Sequence, residues 1–126
     1  MTLSCLPPQS RSLITTLIHY SRQKDLQKGK ALHAHIIKSG SSSCVYIANS
    51  LVNLYVKCED TPTAQLVFET TPNKDVVSWN NLINVYSHHG STGCSLVMEL
   101  FRRMRAENTF PNAHTFAGVF TAAASL

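Results

Sequence analysis

The chain is short of acid, of charge, and of the cysteine spacings that carry chemistry. Among 126 residues, 7 are Asp or Glu and 11 are Lys or Arg, so charged residues make up 14%, the net charge is +4 and the pI is about 9.0. So mild a basic excess suits a polyanionic partner but does not require one, because many soluble proteins carry it. No apolar run approaches the roughly 18 residues of a membrane span, which gives no expectation of a membrane partner. The cysteines, Cys5, Cys44, Cys58 and Cys94, never form C-x-x-C, and no secretory apolar region precedes them. That pattern reads as reduced thiols in an intracellular compartment rather than a disulfide scaffold.

The motifs of catalysis are missing too. There is no glycine-rich phosphate loop and no nucleophile elbow, and the H-x-E with C-x-x-C signature of zinc deaminases does not occur. His33, His35, His88, His89 and His114 raise the question of a metal site, but His33 and His35 stand at i and i+2, which diverge on a helix. The expectation is a protein that is not an enzyme and holds neither cofactor nor metal.

Acid is missing altogether before Asp25, while Arg11, Arg22, Lys24 and His19 are interspersed with Thr2, Ser4, Ser10, Ser12, Thr15, Thr16 and Ser21. This is the composition of an organelle transit peptide. Residues 12–24 also belong to a repeat described next, which leaves residues 1–9 as an N-terminal arm and a possible transit-peptide remnant.

What the chain does have is apolar residues, 44% of it, and recurrence. Residues 45–55 and 76–86 both read V-x-x-x-N-x-L-[VI]-N-x-Y. Tyr20, Tyr55 and Tyr86 lie 35 and 31 residues apart, each preceded at three residues by an apolar side chain: Leu17, Val52 and Ile83. The surrounding segments SLITTLIHYSR, YIANSLVNLYVK and VSWNNLINVYS have the i, i+3, i+4, i+7 spacing of amphipathic helices. A second helical pattern follows each, at 26–40, 61–71 and 93–108. Phe68 and Phe101 correspond 33 residues apart, which puts a two-residue insertion in HHGSTGC, read as the loop between helices. Asp60 or Thr61 suits a helix N-cap with Pro62 in the first turn, and Gly40 and Asn108 suit left-handed C-terminal caps. Pro72 and Pro111 then interrupt the chain.

Such units are helical hairpins whose apolar faces are too small to stand alone, so they stack on near-copies of themselves. The boundaries read as 10–44, 45–75 and 76–112, with residues 113–126 opening a fourth unit as its first helix. In that last segment Phe116, Val119 and Phe120 form an apolar stripe. Trp79 does not recur and is assigned to the core. Arg102, Arg103 and Arg105 are assigned to a solvated convex face.

The phrases KGKALHAHIIKSG (28–40), ANSLVNLYVKC (48–58), DVVSWNNLINVYSHHG (75–90) and MELFRRMRAENTFPNAHTF (98–116) resemble the plant pentatricopeptide repeat family, in its P-L-S subclass of unequal units. Residues 10–44 resemble an L unit, 45–75 an S unit, 76–112 a P unit with a two-residue insertion, and 113–126 the start of an L unit. The tetratricopeptide consensus W-x-x-L-G-x-x-Y is absent. Two positions depart from the family pattern: Glu59 and Asn108 each stand where it usually has Gly.

The resemblance implies an all-α fold, a right-handed α-solenoid of helix–turn–helix repeats, that binds single-stranded RNA at about one base per repeat. By analogy the fifth and last residues of a unit read a base. The pair Asn49 and Asp75 then favours uracil, and Asn80 with Asn112 favours a pyrimidine, cytosine first. Ile14 with Cys44 does not fit the code, and Ala117 lacks a partner. Tyr46, Val77 and His114 stand where family members sandwich bases, and Arg22, Lys57 and His88 align as phosphate contacts. The function implied is recognition in organelle RNA processing or C-to-U editing, in the mitochondrion or alternatively the chloroplast. Catalysis would come from editing factors or a deaminase-bearing partner protein. Two other readings stay open: a protein-interaction scaffold, and a truncated gene product with little function.

Overall fold

The computed structural model describes residues 8–41 and 44–124, so most of the 1–9 arm, with Cys5, lies outside the described residues. These residues form seven α-helices and no strand: α1 (Pro8–Gln23), α2 (Leu26–Ser39), α3 (Val45–Lys57), α4 (Thr61–Thr70), α5 (Val76–Tyr86), α6 (Gly90–Ala106) and α7 (Ala113–Ala124). The chain divides into two compact units between Asn73 and Lys74.

In the first unit α1 packs on α2 and α3, and α3 packs on α4. The recurrent apolar positions make the core. Leu17 from α1, Ile36 from α2, Ile47, Leu54 and Tyr55 from α3, and Ala64 and Phe68 from α4 are almost wholly buried. Each large aliphatic side chain so buried contributes about 1.5–3 kcal/mol. The one polar atom in this set, the Tyr55 hydroxyl, lies 2.7 Å from His33 Nδ1, and a buried tyrosine needs such a partner.

The turns repeat as faithfully as the helices. The Tyr20 and Tyr55 carbonyls accept hydrogen bonds from the Asp25 and Asp60 N–H groups at 3.0 and 2.8 Å. Lys24 and Glu59 take left-handed φ of 53° and 61°, which is the Schellman ending. The next residue at once starts the second helix: the Asp25 and Asp60 carboxylates accept from the Lys28 and Thr63 N–H groups. Asn108, at φ 61°, ends α6 in the same way, with the Thr109 N–H on the Met104 carbonyl, and Gly40, at φ 78°, follows α2.

The second unit packs α5, α6 and α7 against one another. Trp79, Leu82 and Ile83 of α5, Val97 and Met104 of α6, and Ala122 of α7 form its core, each at 0% exposure. Trp79 is therefore core, as the sequence suggests. One expectation needs correction. The HHGSTGC stretch is not a loop, because α6 already begins at Gly90. The inserted residues lengthen the helix instead of the connection. Gly93 permits this: a Cβ there would fall 2.1 Å from the Tyr86 carbonyl oxygen. In the arginine cluster Arg102 and Arg105 are exposed and Arg103 is half-buried. Arg103 lies over the Trp79 ring at 5.3 Å and Arg105 over Phe101 at 5.8 Å, while Arg102 pairs with Glu99. On α7 the buried side is Thr115, Gly118 and Ala122. Phe116 meets Phe101 edge-on at 6.1 Å, and Phe120 stays largely exposed.

Candidate nucleic-acid interface

The last residues of the three units have a structural task in common: Cys44, Asp75 and Asn112 each occupy the N-cap of the following first helix. Cys44 makes no side-chain cap bond to α3. Asp75 closes a full capping box on α5: its Oδ1 accepts from the Ser78 N–H at 3.0 Å and from the Ser78 hydroxyl at 3.0 Å, and its own N–H donates to Ser78 Oγ at 3.1 Å. Asn112 repeats the arrangement on α7. The Thr115 N–H donates to Asn112 Oδ1 at 3.2 Å, and the Asn112 N–H donates to Thr115 Oγ1 at 3.1 Å. Each cap satisfies N–H groups that the helix cannot satisfy itself.

Asn80, one turn into α5, meets the second of these caps. Its Nδ2 donates to Asn112 Oδ1 at 3.0 Å, and its Oδ1 accepts from the Thr115 hydroxyl at 2.5 Å. Gly118 lets α7 come this close, since a Cβ there would fall 2.6 Å from Ile83 Cγ2 on α5. Both amides line an open cleft of about 460 Å³, with Val77 and His114 on its wall beside Asn81, Asn84 and Thr121. The structure thus brings together Asn80, Asn112, Val77 and His114, four residues that the sequence analysis had singled out separately. Ala117 lines the same cleft.

In the first unit Asn49 lies buried in α3 at 8% exposure, and Tyr46 is half-buried one turn earlier. Ile14 is buried in α1 at 4%. Asn49 belongs to the first unit and Asp75 to the second. Arg22 and Lys57 line a single cleft of about 540 Å³ with Ile18, Ser21, Lys24 and Asn53. His88 is exposed just beyond α5. Sequence reasoning missed three contributors. Lys24 joins the two basic side chains because the αL turn carries it there. Ser78 and Thr115 complete the caps, and their signal was in the sequence as D-x-x-S at 75–78 and N-x-x-T at 112–115, the spacing of a capping box.

Among the described residues no group of three or more His, Cys, Asp or Glu side chains is placed to hold a metal ion. His33 hydrogen-bonds Tyr55, and burial lowers its pKa below the ordinary 6.5. Burial also raises the Tyr55 pKa above 10.0, with smaller contributions from Asp60 and Cys58. No described helix is long and apolar enough to cross a membrane.

Helical hairpins with repeated turns, and paired amides at an open cleft, define a helical-repeat protein. The comparisons specify which kind. The model of the PPR repeat family matches residues 74–125. One pentatricopeptide repeat-containing protein of Arabidopsis thaliana is 47% identical over 122 residues, which is 96% of this chain and 17% of the relative. A mitochondrial pentatricopeptide repeat-containing protein of the same plant is 35% identical over 91% of this chain and 16% of its own length, and a chloroplastic one 36% identical over 78% and 11%. The chain belongs to the pentatricopeptide repeat family. It spans less than a fifth of each of these relatives, at 17%, 16% and 11% of their lengths.

Proposed function

We propose that the chain is a recognition module for single-stranded RNA, built from a P-L-S series of L (10–44), S (45–75) and P (76–112) units with 113–126 opening another. It acts in organelle RNA processing or C-to-U editing, with the chemistry left to editing factors or a deaminase-bearing partner. Family membership supports RNA binding, and relatives named mitochondrial or chloroplastic support an organelle address.

The observation that carries the reading is the meeting of Asn80 and Asn112 at 3.0 Å in an open cleft flanked by Val77 and His114. Each amide offers both donors and an acceptor. Two of them at one point can address a base edge, and side chains to either side can hold the base by its faces. Asn49 with Asp75 reads the preceding base as uracil, and Asn80 with Asn112 reads a pyrimidine.

Labelled single-stranded oligomers that differ only at those two bases test this by fluorescence anisotropy. The expected result is about tenfold tighter binding of 5′-UC-3′ than of GA, or about 1.4 kcal/mol. Equal affinities would refute the base assignment, and the absence of any RNA binding would favour a protein-interaction scaffold.

A further inference from the structure

We infer that Thr115, although it touches no base, is a positioning residue that sets the hydrogen-bonding face Asn80 and Asn112 present to RNA; the inference rests on the base-reading function proposed above. An asparagine amide can be turned through 180° with little change of shape, which exchanges donors for an acceptor. A site that reads bases with amides therefore needs something to fix which end is which.

The fixed point is the Thr115 backbone N–H, which can only donate. It meets Asn112 at 3.2 Å, so the atom there is Oδ1. Asn80 approaches the same oxygen at 3.0 Å and must present Nδ2 to it. That leaves Asn80 Oδ1 facing the Thr115 hydroxyl, which accepts from the Asn112 N–H at 3.1 Å and whose single proton has two acceptors in reach, Asn80 Oδ1 at 2.5 Å and Asn112 Oδ1 at 3.1 Å, Asn80 being the nearer. The four bonds run one way round, and reversing either amide would set donor against donor or acceptor against acceptor. Thr115 is at 0% exposure, so water does not substitute for its hydroxyl.

The amide groups left for a ligand follow from subtraction. Asn112 Oδ1 is taken up by Asn80 and the Thr115 N–H, whereas its Nδ2 donates to no described residue. Asn80 keeps one N–H and one lone pair. The face is donor-rich and suits a base edge that offers acceptors, such as the carbonyl and ring nitrogen of cytosine. Without the hydroxyl, Asn80 loses one of its two orienting partners and keeps only the bond to Asn112 Oδ1, so its hold on a single orientation weakens.

The test uses the 126-residue chain with Thr115→Val, which keeps the side chain's shape, and Thr115→Ser, which keeps the hydroxyl. Affinity is measured for oligomers that differ only at the base assigned to Asn80 and Asn112, alongside thermal melts. The unmodified chain and Thr115→Ser are expected to discriminate cytosine from purine by about tenfold, and Thr115→Val to fall within about twofold while still binding RNA. A uniform loss of affinity with the ratio intact would mark an ordinary folding role and overturn the inference, leaving the base-reading function standing. No discrimination by the unmodified chain would overturn both. If Thr115→Val does not fold, exchange of the Asn80 side-chain amide protons in the RNA-free chain decides: protection of one proton is expected, and exchange at the free-amide rate for both would overturn the inference.

Discussion

At the scale of the residue, neighbours in sequence carry separable roles. Trp79 and Asn80 are adjacent, yet one is wholly buried beneath Arg103 and the other opens on a cleft. Trp79→Ala is expected to cost about 3–5 kcal/mol of stability, as for other aromatic truncations in a core. Asn80→Ala should leave the melt near that of the unmodified chain and relax selection at one base. Denaturation curves and binding isotherms on both variants check this, and a Trp79→Ala variant that melts normally but binds poorly would assign the indole to RNA instead. His33 gives a second prediction. Burial lowers its folded pKa, so as pH falls the unfolded chain takes up the proton first. The stability contribution is therefore complete above the unfolded pKa of about 6.5 and is lost as pH drops below it. Urea midpoints between pH 7.5 and 5 should decline in the unmodified chain and decline less in His33→Gln. Equal slopes would show that the burial of His33 has no bearing on acid stability.

At the scale of the element, the helices were legible because the apolar period is strong and the turn residues agree with it. Every helix that the sequence suggested is present, and Asp60, Gly40 and Asn108 sit at the ends assigned to them. The start of α6 was not legible. Gly90 and Gly93 look like loop residues by composition; Gly90 takes a left-handed φ of 64°, and the use of Gly93 in a close crossing past Tyr86 depends on where α5 already lies. The paired amides were legible only through repeat register, and the hydroxyl that orients them only through capping spacing. The left-handed ending of α3 also carries a prediction. Glu59 holds φ 61° with a side chain that disfavours it. Glu59→Gly relieves about 1–2 kcal/mol of local strain, partly offset by the greater freedom of glycine in the unfolded chain. A net gain of about 0.5–1 kcal/mol is expected in chemical denaturation, and a loss would mean that Glu59 makes a compensating contact.

At the scale of the whole molecule, charge is modest in total but gathered locally. Net charge is +4, while Arg22, Lys24 and Lys57 line one cleft of the first unit. If that cleft holds phosphates, the slope of log K against log salt should become shallower by about 0.7 for each contact removed. Arg22→Gln with Lys57→Gln should therefore reduce it by about 1.4 without altering base preference. An unchanged slope would remove the cleft from the RNA path.

The placement of Cys44, Asp75 and Asn112 at helix N-caps reaches further than any one contact. On the proposed base-reading role, the last letter of a unit satisfies two grammars at once. As a cap it is best drawn from a short vocabulary, chiefly Asn, Asp, Ser and Thr; Asp75 and Asn112 belong to that set, whereas Cys44 does not and makes no side-chain cap bond, and a residue outside the set costs about 0.5–2 kcal/mol before any RNA is present. The words this scaffold can spell are accordingly bounded by what starts a helix well. If Asn112 reads a base, rewriting it to Asp changes the message and keeps the cap, whereas writing Leu there also erodes the page.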